Sequence, residues 1–197
     1  MTTLTINPSA SSHDAWENNL GAVTLTDEIR LTATTAWGGL FLPNVTIPAG
    51  STINSATLYY EASATTHDDP AFTLYAQAID SAAAFTTTTS DISSRSRTTA
   101  NVSDSATGIG NTAYRSLTIT TLIAEVAGRG GWVSGNNMAL IIDATTGIDL
   151  WIRSYDSGGH VWYVVIDYTA PSVGGQPMAA RGRLVPGMRR PHGHQGW

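Results

Sequence analysis

Nine short segments in which apolar and polar residues alternate constrain the fold of this chain most strongly. In residues 56–63, Leu58 and Tyr60 fall on one face of an extended chain, and Thr57 and Tyr59 fall on the other. A period of two, with many β-branched and aromatic residues, is typical of strands that bury one face. The predicted strands cover residues 22–26, 29–34, 40–47, 56–63, 72–79, 116–122, 137–143, 149–155 and 160–169.

Turn-forming residues separate these segments, at 48–50, 68–70, 135–137 and 156–159. Many short strands divided by turns predict an all-β fold, which we interpret as an antiparallel jelly-roll-like β-sandwich. The Thr- and Ser-rich stretch 85–110 has little periodicity. We expect it to form a long surface excursion, with a crossing from one sheet to the other as one option.

One short helix is predicted over residues 120–131. Leu122, Ile123 and Val126 have helical spacing, and Gly128 follows where a C-cap glycine is favoured. The helix should therefore lay one apolar face on the sandwich and end near Gly128.

The strand pattern ends near Ala170, and the charge changes sign there. Residues 1–170 hold six Arg and fifteen Asp or Glu, a net charge of −9, whereas residues 171–197 hold four Arg and no acid, a net charge of +4. A Pro- and Gly-rich segment without periodicity cannot bury enough apolar area to fold alone. We therefore predict a β-sandwich domain over 1–170 and an extended basic C-terminal arm over 171–197. The arm residues expected to bind a neighbouring subunit are Arg181, Arg183, Leu184, Val185, Met188, Arg189, Arg190 and Trp197.

Composition excludes several classes of site and partner. The chain has no cysteine, which removes disulfide frameworks, thiolate nucleophiles and cysteine-based zinc sites. No basic and apolar leader pattern is visible, and no apolar run approaches the ~20 residues of a membrane helix, so we expect neither a secretory signal nor a membrane span. Four positive charges on a body with net charge −9 argue against nucleic acid as the partner.

Candidate catalytic and metal-binding residues are few. Asp68, Asp69 and Asp156 lie in turns, where Asp commonly caps its own backbone, and His13, His67 and His160 are interpreted as isolated. No nucleophile motif accompanies them, so we predict a non-enzymatic protein with no catalytic residue and no cofactor.

Two metal sites are alternatives of lower weight. A structural calcium ion could be held by loop carboxylates of Asp68, Asp69 or Asp156, because Ca²⁺ takes several oxygen ligands. His192 and His194 supply at most half of a transition-metal site.

The tryptophans divide into packing and contact candidates. Trp132, Trp151 and Trp162 lie in or beside predicted core elements and are expected to pack. Trp16, in a predicted loop, and Trp37, beside two glycines, are the better candidates for exposure. An exposed aromatic ring can stack on a sugar face, so these two are predicted glycan contacts.

Residues 13–168 resemble a known family in four stretches. These are the HDAWEN and GAVTLT motifs in 13–26, the LFLPNVTIPAGSTINSATLYYEA stretch in 40–62, RTTANVS in 97–103 and IAEVAGRGGWVSGNNMALII in 123–142. The pattern resembles the jelly-roll-like β-sandwich domains, DNRLRE-type or carbohydrate-binding-like, of bacterial surface proteins and tailed-phage structural proteins. The resemblance implies the sandwich and a turn at Pro48 and Gly50, and it brings no catalytic residue.

The favoured function at this point is that of a virion structural protein of a tailed bacteriophage, assembled in the host cytoplasm. It would be a capsid decoration protein or an accessory head, neck or tail subunit, with other virion proteins and copies of itself as partners. The alternative is a carbohydrate-binding or adhesive module on a virion or cell surface, with a host surface glycan as ligand. A polysaccharide-degrading enzyme is the third option, and it requires two carboxylates about 5–10 Å apart in an open cleft, which we do not expect.

Overall fold

A computed structural model describes residues 1–32, 36–63, 71–105, 114–144 and 149–172. Within these ranges the chain forms strands and one α-helix, with a 3-10 turn at Ser11–His13. The elements are β1 (Thr2–Ile6), β2 (Asp14–Glu17), β3 (Val23–Thr24), β4 (Ile29–Thr32), β5 (Ala36–Leu42), β6 (Thr52–Tyr60), β7 (Phe72–Ala76), β8 (Val102–Asp104), β9 (Arg115–Thr118), α1 (Thr120–Ala127), β10 (Met138–Ala144), β11 (Asp149–Ile152) and β12 (Tyr163–Thr169).

The strands form a four-stranded sheet in the order β1-β12-β6-β9 and a six-stranded sheet in the order β3-β2-β5-β10-β7-β8. A short β11-β4 pair forms a third sheet. Every pairing between the described strands is antiparallel. The predicted all-β antiparallel sandwich is therefore confirmed.

The main core lies between the two larger sheets. Alternation works as expected: Leu58 and Tyr60 of β6 are buried, as are Val164 and Ile166 of β12, while the residues between them are half-exposed. These side chains join one cluster with residues of β5, β7 and β10 from the other sheet. Burying a large aliphatic side chain contributes roughly 1.5–3 kcal/mol, so this cluster is the main source of stability.

A second hydrophobic cluster covers the other face of the six-stranded sheet. Phe41 and Ile141 on that face are buried against Phe85 and Ile92. The predicted surface excursion is thus wrong for Phe85 and Ile92, because their side chains pack onto this face of the sheet. We call these two residues the lid. The chain first returns as β8 beside β7 in the same sheet, and it passes to the four-stranded sheet between β8 and β9, so the crossing falls after Asp104.

A buried carboxylate anchors this returning segment. Glu17 is fully buried, and its Oε2 accepts hydrogen bonds from the backbone N–H groups of Ile92 at 2.8 Å and Ser93 at 2.9 Å. Hydrogen bonds to an ionised group are among the stronger ones in proteins. The segment is therefore held by polar contacts as well as by its two apolar side chains.

The helix and the turn at Pro48 and Gly50 lie at their predicted positions. The helix spans Thr120–Ala127, and its Leu122, Ile123 and Val126 are buried in the main core. Gly128 is its C-cap residue with φ of −81°, so the helix ends without a left-handed residue. At the turn, Gly50 has φ of +77° and the Ser51 N–H bonds the Pro48 carbonyl at 3.1 Å, as the resemblance implied.

The described residues reach Ser172, just beyond the end of β12 at Thr169. All eight predicted arm residues lie outside the described ranges, as do Asp68, Asp69, His67, His192 and His194. The division of the chain at residue 170 therefore stays a prediction. Within the described ranges, the helix present is too short to cross a bilayer.

Candidate functional site

Four aromatic rings line one end of the outward-facing side of the four-stranded sheet. Tyr59 of β6 and Tyr163 of β12 are register partners, and their rings stack with centroids 4.7 Å apart. Tyr114, just before β9, meets Tyr163 edge-on at 5.1 Å and stacks with His160 at 5.3 Å. None of the four is buried. We call these residues the aromatic strip.

The aromatic strip ends at an open cleft of about 330 Å³. Its floor is the Glu61 carboxylate, whose side chain is 5% exposed. The Glu61 Oε1 accepts a hydrogen bond from Arg153 Nε at 3.0 Å, and its Oε2 lies 2.6 Å from His160 Nδ1. The cleft is lined by Glu61, Arg153, Ser157, Gly158, Gly159 and His160.

The sequence folds locally into a tight loop, residues 153–162, which we call the cleft loop. Ser154 and Ser157 exchange hydrogen bonds: each backbone N–H donates to the other's hydroxyl, at 2.9 and 3.3 Å. Gly158 and Gly159 have φ of +67° and +79°, a region that other residues adopt only with strain. The paired glycines thus turn the backbone over the guanidinium of Arg153, which lies 3.6 Å from where a Cβ at position 159 would be.

A buried carboxylate behind the cleft holds this loop in place. Asp14 Oδ2 accepts hydrogen bonds from the Tyr155 N–H at 2.8 Å and from Trp162 Nε1 at 3.0 Å. Asp14 is fully buried, and burial raises its pKa to about 7 while the two hydrogen bonds oppose the rise.

The cleft presents hydrogen-bond donors beside an acceptor and next to aromatic rings. Both Nη atoms of Arg153 are without a hydrogen-bond partner in the described part of the chain, and the His160 side chain is 66% exposed. A sugar hydroxyl both donates and accepts, and it therefore matches a donor and acceptor placed side by side. The cleft can therefore exchange hydrogen bonds with a polar ligand, and the Glu61 carboxylate fixes the direction of the donors.

The structure places the two predicted glycan contacts elsewhere. Trp16 lies in β2, where a loop was predicted, and Trp37 lies in β5; both are strands of the six-stranded sheet. Both indoles are half-buried, Trp16 against the main core and Trp37 against the second cluster. Neither belongs to the aromatic strip or lines the cleft.

The packing tryptophans behave as predicted in two of three cases. Trp132 and Trp162 are buried in the main core. Trp151 is half-buried, and the Arg30 guanidinium lies over its ring at 4.2 Å. The third indole thus packs under a charged side chain at the surface.

The interpretation of His160 as isolated is wrong, because its ring contacts both Glu61 and Tyr114. Sequence reasoning had no local signal for this pair, since His160 and Glu61 are 99 positions apart. Glu61 directly follows Tyr60, the last residue of β6, so the Tyr-Tyr-Glu sequence at this strand end is the one feature that could have drawn attention.

A second depression, of about 220 Å³, does contain two carboxylates, those of Asp104 and Asp143. Asp104 is 2% exposed and accepts hydrogen bonds from Tyr60 and Arg115, and Asp143 pairs with Arg97 at 2.7 Å. Both acids are thus engaged by an arginine. A glycosidase uses one carboxyl group to deliver a proton to the glycosidic oxygen, whereas both of these carboxylates are bound by an arginine side chain.

The other arginines of residues 1–170 are also paired with acidic side chains. All six arginines of residues 1–170 form an ion pair with Asp or Glu: Arg30–Asp27, Arg95–Asp91, Arg97–Asp143, Arg115–Asp104, Arg129–Asp80 and Arg153–Glu61. A phosphate backbone would have to displace these acids to reach the guanidinium groups.

No group of three or more His, Asp or Glu side chains in the described ranges could hold a metal ion. Asp156, one of the proposed calcium ligands, accepts a hydrogen bond from the Ser11 hydroxyl at 3.0 Å. Since Asp68 and Asp69 lie outside the described residues, the calcium site stays a prediction.

Comparison with known proteins adds little to this geometry. No protein-family model and no curated protein matches the chain, so the DNRLRE-type and phage assignments gain no support. Among solved structures, the chain is similar to a family 35 carbohydrate binding module from Clostridium thermocellum, with 8% identity and a TM-score of 0.34, over 84% of this chain and 98% of that chain. A similarity this weak carries no argument about what this chain binds.

Proposed function

We propose that this chain is a non-catalytic carbohydrate-binding domain whose ligand lies along the aromatic strip and reaches into the cleft. The observation that carries the proposal is the continuity of four partly exposed rings with a hydrogen-bonded Glu61–Arg153 pair. This adopts the alternative from the sequence and moves its site from the tryptophans of the six-stranded sheet to the four-stranded sheet.

Each part of the site has a physical role in this proposal. The aromatic rings provide apolar surface for the C–H faces of a sugar, and they are rigid, so little side-chain entropy is lost on binding. Arg153 and His160 donate to hydroxyl oxygens. Glu61 is already bound by two neighbours, which fixes the direction of the Arg153 guanidinium before the ligand arrives.

The expected affinity is modest. The cleft is open and small, so it covers only part of one sugar residue, while the rings support the next. A site of this kind contributes about 4–8 kcal/mol, which corresponds to dissociation constants in the millimolar to micromolar range. A domain with such affinity acts where glycans are displayed, which places it on a cell surface or a virion surface in this proposal.

The test is binding of the full chain to an array of neutral and acidic oligosaccharides, followed by calorimetry on the hits. Tyr114→Ala and His160→Ala are expected to weaken binding at least tenfold. Tyr75→Ala is the matched control, because Tyr75 is half-buried on the six-stranded sheet, away from the aromatic strip. An array without hits would reject the proposal, and equal losses in all three variants would reject this site.

A second candidate is a virion subunit that binds its neighbours through the C-terminal arm. The observation that favours it is the change from net charge −9 over 1–170 to +4 over 171–197, with Met, Leu, Val and Trp interspersed among the arginines. Ordering such an arm costs roughly 1–2 kcal/mol per residue, so it needs a partner surface. Deleting 171–197 should leave a folded monomer that no longer joins its assembly, and unchanged assembly would reject this candidate.

A further inference from the structure

The cleft loop is tied to the sandwich at both of its ends by one side chain. Asp14 Oδ2 binds the backbone N–H of Tyr155, at the start of the turn, and the indole of Trp162, at its end. The residues between these two anchors include Ser157, Gly158 and His160, which line the cleft. The position of the cleft wall therefore depends on Asp14.

The second oxygen of the Asp14 carboxylate has no hydrogen bond to compensate for its burial. Asp14 Oδ1 is buried and makes no hydrogen bond, and Asp14 forms no ion pair within the described residues. A buried carboxylate in this condition is costly when charged and much less so when it carries a proton.

The groups around Asp14 add no positive charge to offset this cost. Leu40, its register partner on β5, is apolar, and Asp156 on the cleft loop is a nearby negative charge. The ring of the preceding residue, His13, contacts Phe41, and its Nδ1 accepts a hydrogen bond from the Ser9 N–H. Burial lowers the pKa of His13, which disfavours its charged form.

We propose that Asp14 is a positioning residue for the cleft, which closes the cleft loop with uptake of a proton, so that the cleft is better formed at pH 5 than at pH 7.5. The part of this inference that concerns ligand rests on the proposed function. The coupling between protonation of Asp14 and closure of the cleft loop does not depend on the proposed function.

The direction follows from comparing the closed and the open loop. When the loop is closed, the pKa of Asp14 is about 7. When the loop lifts, Tyr155 leaves, water reaches the carboxyl group, and its pKa falls toward the ordinary value of 3.8. Between these two values the closed form holds a proton that the open form has released. Closure therefore weakens as the pH rises from about 4 to about 7, and it is insensitive to pH above that range.

Amide hydrogen exchange of the full chain measures this directly, after correction for the intrinsic exchange rate. The protection of the Tyr155 amide is expected to fall by ten- to a hundredfold between pH 5 and pH 7. The Ser51 amide, which donates to the Pro48 carbonyl rather than to a carboxylate, is the internal control and should keep constant protection. Constant protection of Tyr155 over this range would overturn the inference.

Two variants separate a titrating role from a merely structural one. Asp14→Asn retains an oxygen acceptor for both N–H groups and cannot titrate, so the pH dependence at Tyr155 should vanish. Asp156→Asn removes the repulsive neighbour while keeping an acceptor for Ser11, so the midpoint should move to lower pH. If Asp14→Asn does not fold, the shift in the Asp156→Asn variant decides the question alone. A persistent slope in Asp14→Asn, or an unmoved midpoint in Asp156→Asn, contradicts the proposal.

The affinity for a glycan identified on the array provides the last readout. Wild type should bind it severalfold more tightly at pH 5 than at pH 7.5, and Asp14→Asn should bind equally at both. If no glycan binds at any pH, the proposed function fails, while the exchange experiment still decides the role of Asp14. If a glycan binds but the Tyr155 amide shows no pH dependence, the function stands and this inference fails.

Discussion

The indole Nε1 of Trp132 donates a hydrogen bond of 3.0 Å to the backbone carbonyl of Ile47. It links the turn after α1 to the connection between β5 and β6, and both residues are buried. The contact joins the helix to the sheets by a polar bond in an otherwise apolar cluster.

Trp132→Phe tests the value of this bond. Phenylalanine retains most of the buried ring but leaves the Ile47 carbonyl without its partner, which costs about 1–3 kcal/mol. We expect the free energy of unfolding, measured by urea denaturation, to fall by that amount, whereas Trp132→Ala should cost about 3–5 kcal/mol. An unchanged free energy of unfolding in Trp132→Phe would show that the hydrogen bond contributes nothing.

The buried acid predicts how the stability of the whole domain depends on pH. The pKa of Asp14 is raised to about 7 in the folded chain, so the folded state holds a proton that the unfolded chain has already lost. Its contribution to the free energy of unfolding therefore decreases as the pH rises from about 4 to about 7, by an amount on the order of a few kcal/mol. Denaturation of wild type and Asp14→Asn across this range should give two curves that diverge, with wild type losing more. Parallel curves would contradict the shifted pKa.

Two ion pairs of the domain should differ greatly in their value. Asp104 is 2% exposed and accepts from Arg115 Nε at 2.6 Å and from the Tyr60 hydroxyl at 2.8 Å. Arg115→Met removes the cation from a buried acid and is expected to cost about 3–5 kcal/mol. Arg30→Met is the matched control, because both partners in the Arg30–Asp27 pair are more than 30% exposed and such pairs contribute about 0–1 kcal/mol. Similar losses in the two variants would count against the assignment of Asp104 as a buried, dependent acid.

The second hydrophobic cluster can be tested through a glycine. A Cβ at Gly39 of β5 would overlap the ring of Phe85, whereas a Cβ at Gly130 meets no atom within 4 Å. Gly39→Ala should therefore displace the Phe85 lid and destabilise the domain by about 1–3 kcal/mol, with faster amide exchange at Ile92. Gly130→Ala should leave the stability within about 0.5 kcal/mol of wild type. A neutral Gly39→Ala would mean that the lid packs loosely.

The sequence predicted most of the sandwich and missed the strands that carry polar residues. Strands such as β6 and β12 alternate cleanly and were found. β2 was missed because Asp14 and Glu17, its two buried acids, look like surface residues. Their hydrogen-bond partners, including Ile92 and Tyr155, are 75 and 141 positions away, so no local pattern could show that burial was satisfied.

The candidate site was beyond prediction for a related reason. The aromatic strip exists because the register of β6 and β12 places Tyr59 beside Tyr163, and register depends on the whole sheet. Sequence reasoning considered the tryptophans as contact candidates, and it could not show that Trp37 lies on a face that Phe85 and Ile92 help to cover.

The lid on the six-stranded sheet has a consequence for engineering. With Phe85 and Ile92 occupying its outward side, that sheet tolerates few new side chains without loss of packing. The four-stranded sheet on the opposite side carries Thr5, Thr57 and Thr118, none of them buried, on β1, β6 and β9. A library randomised at these threonines would sample new ligand preferences while the scaffold beneath stays intact.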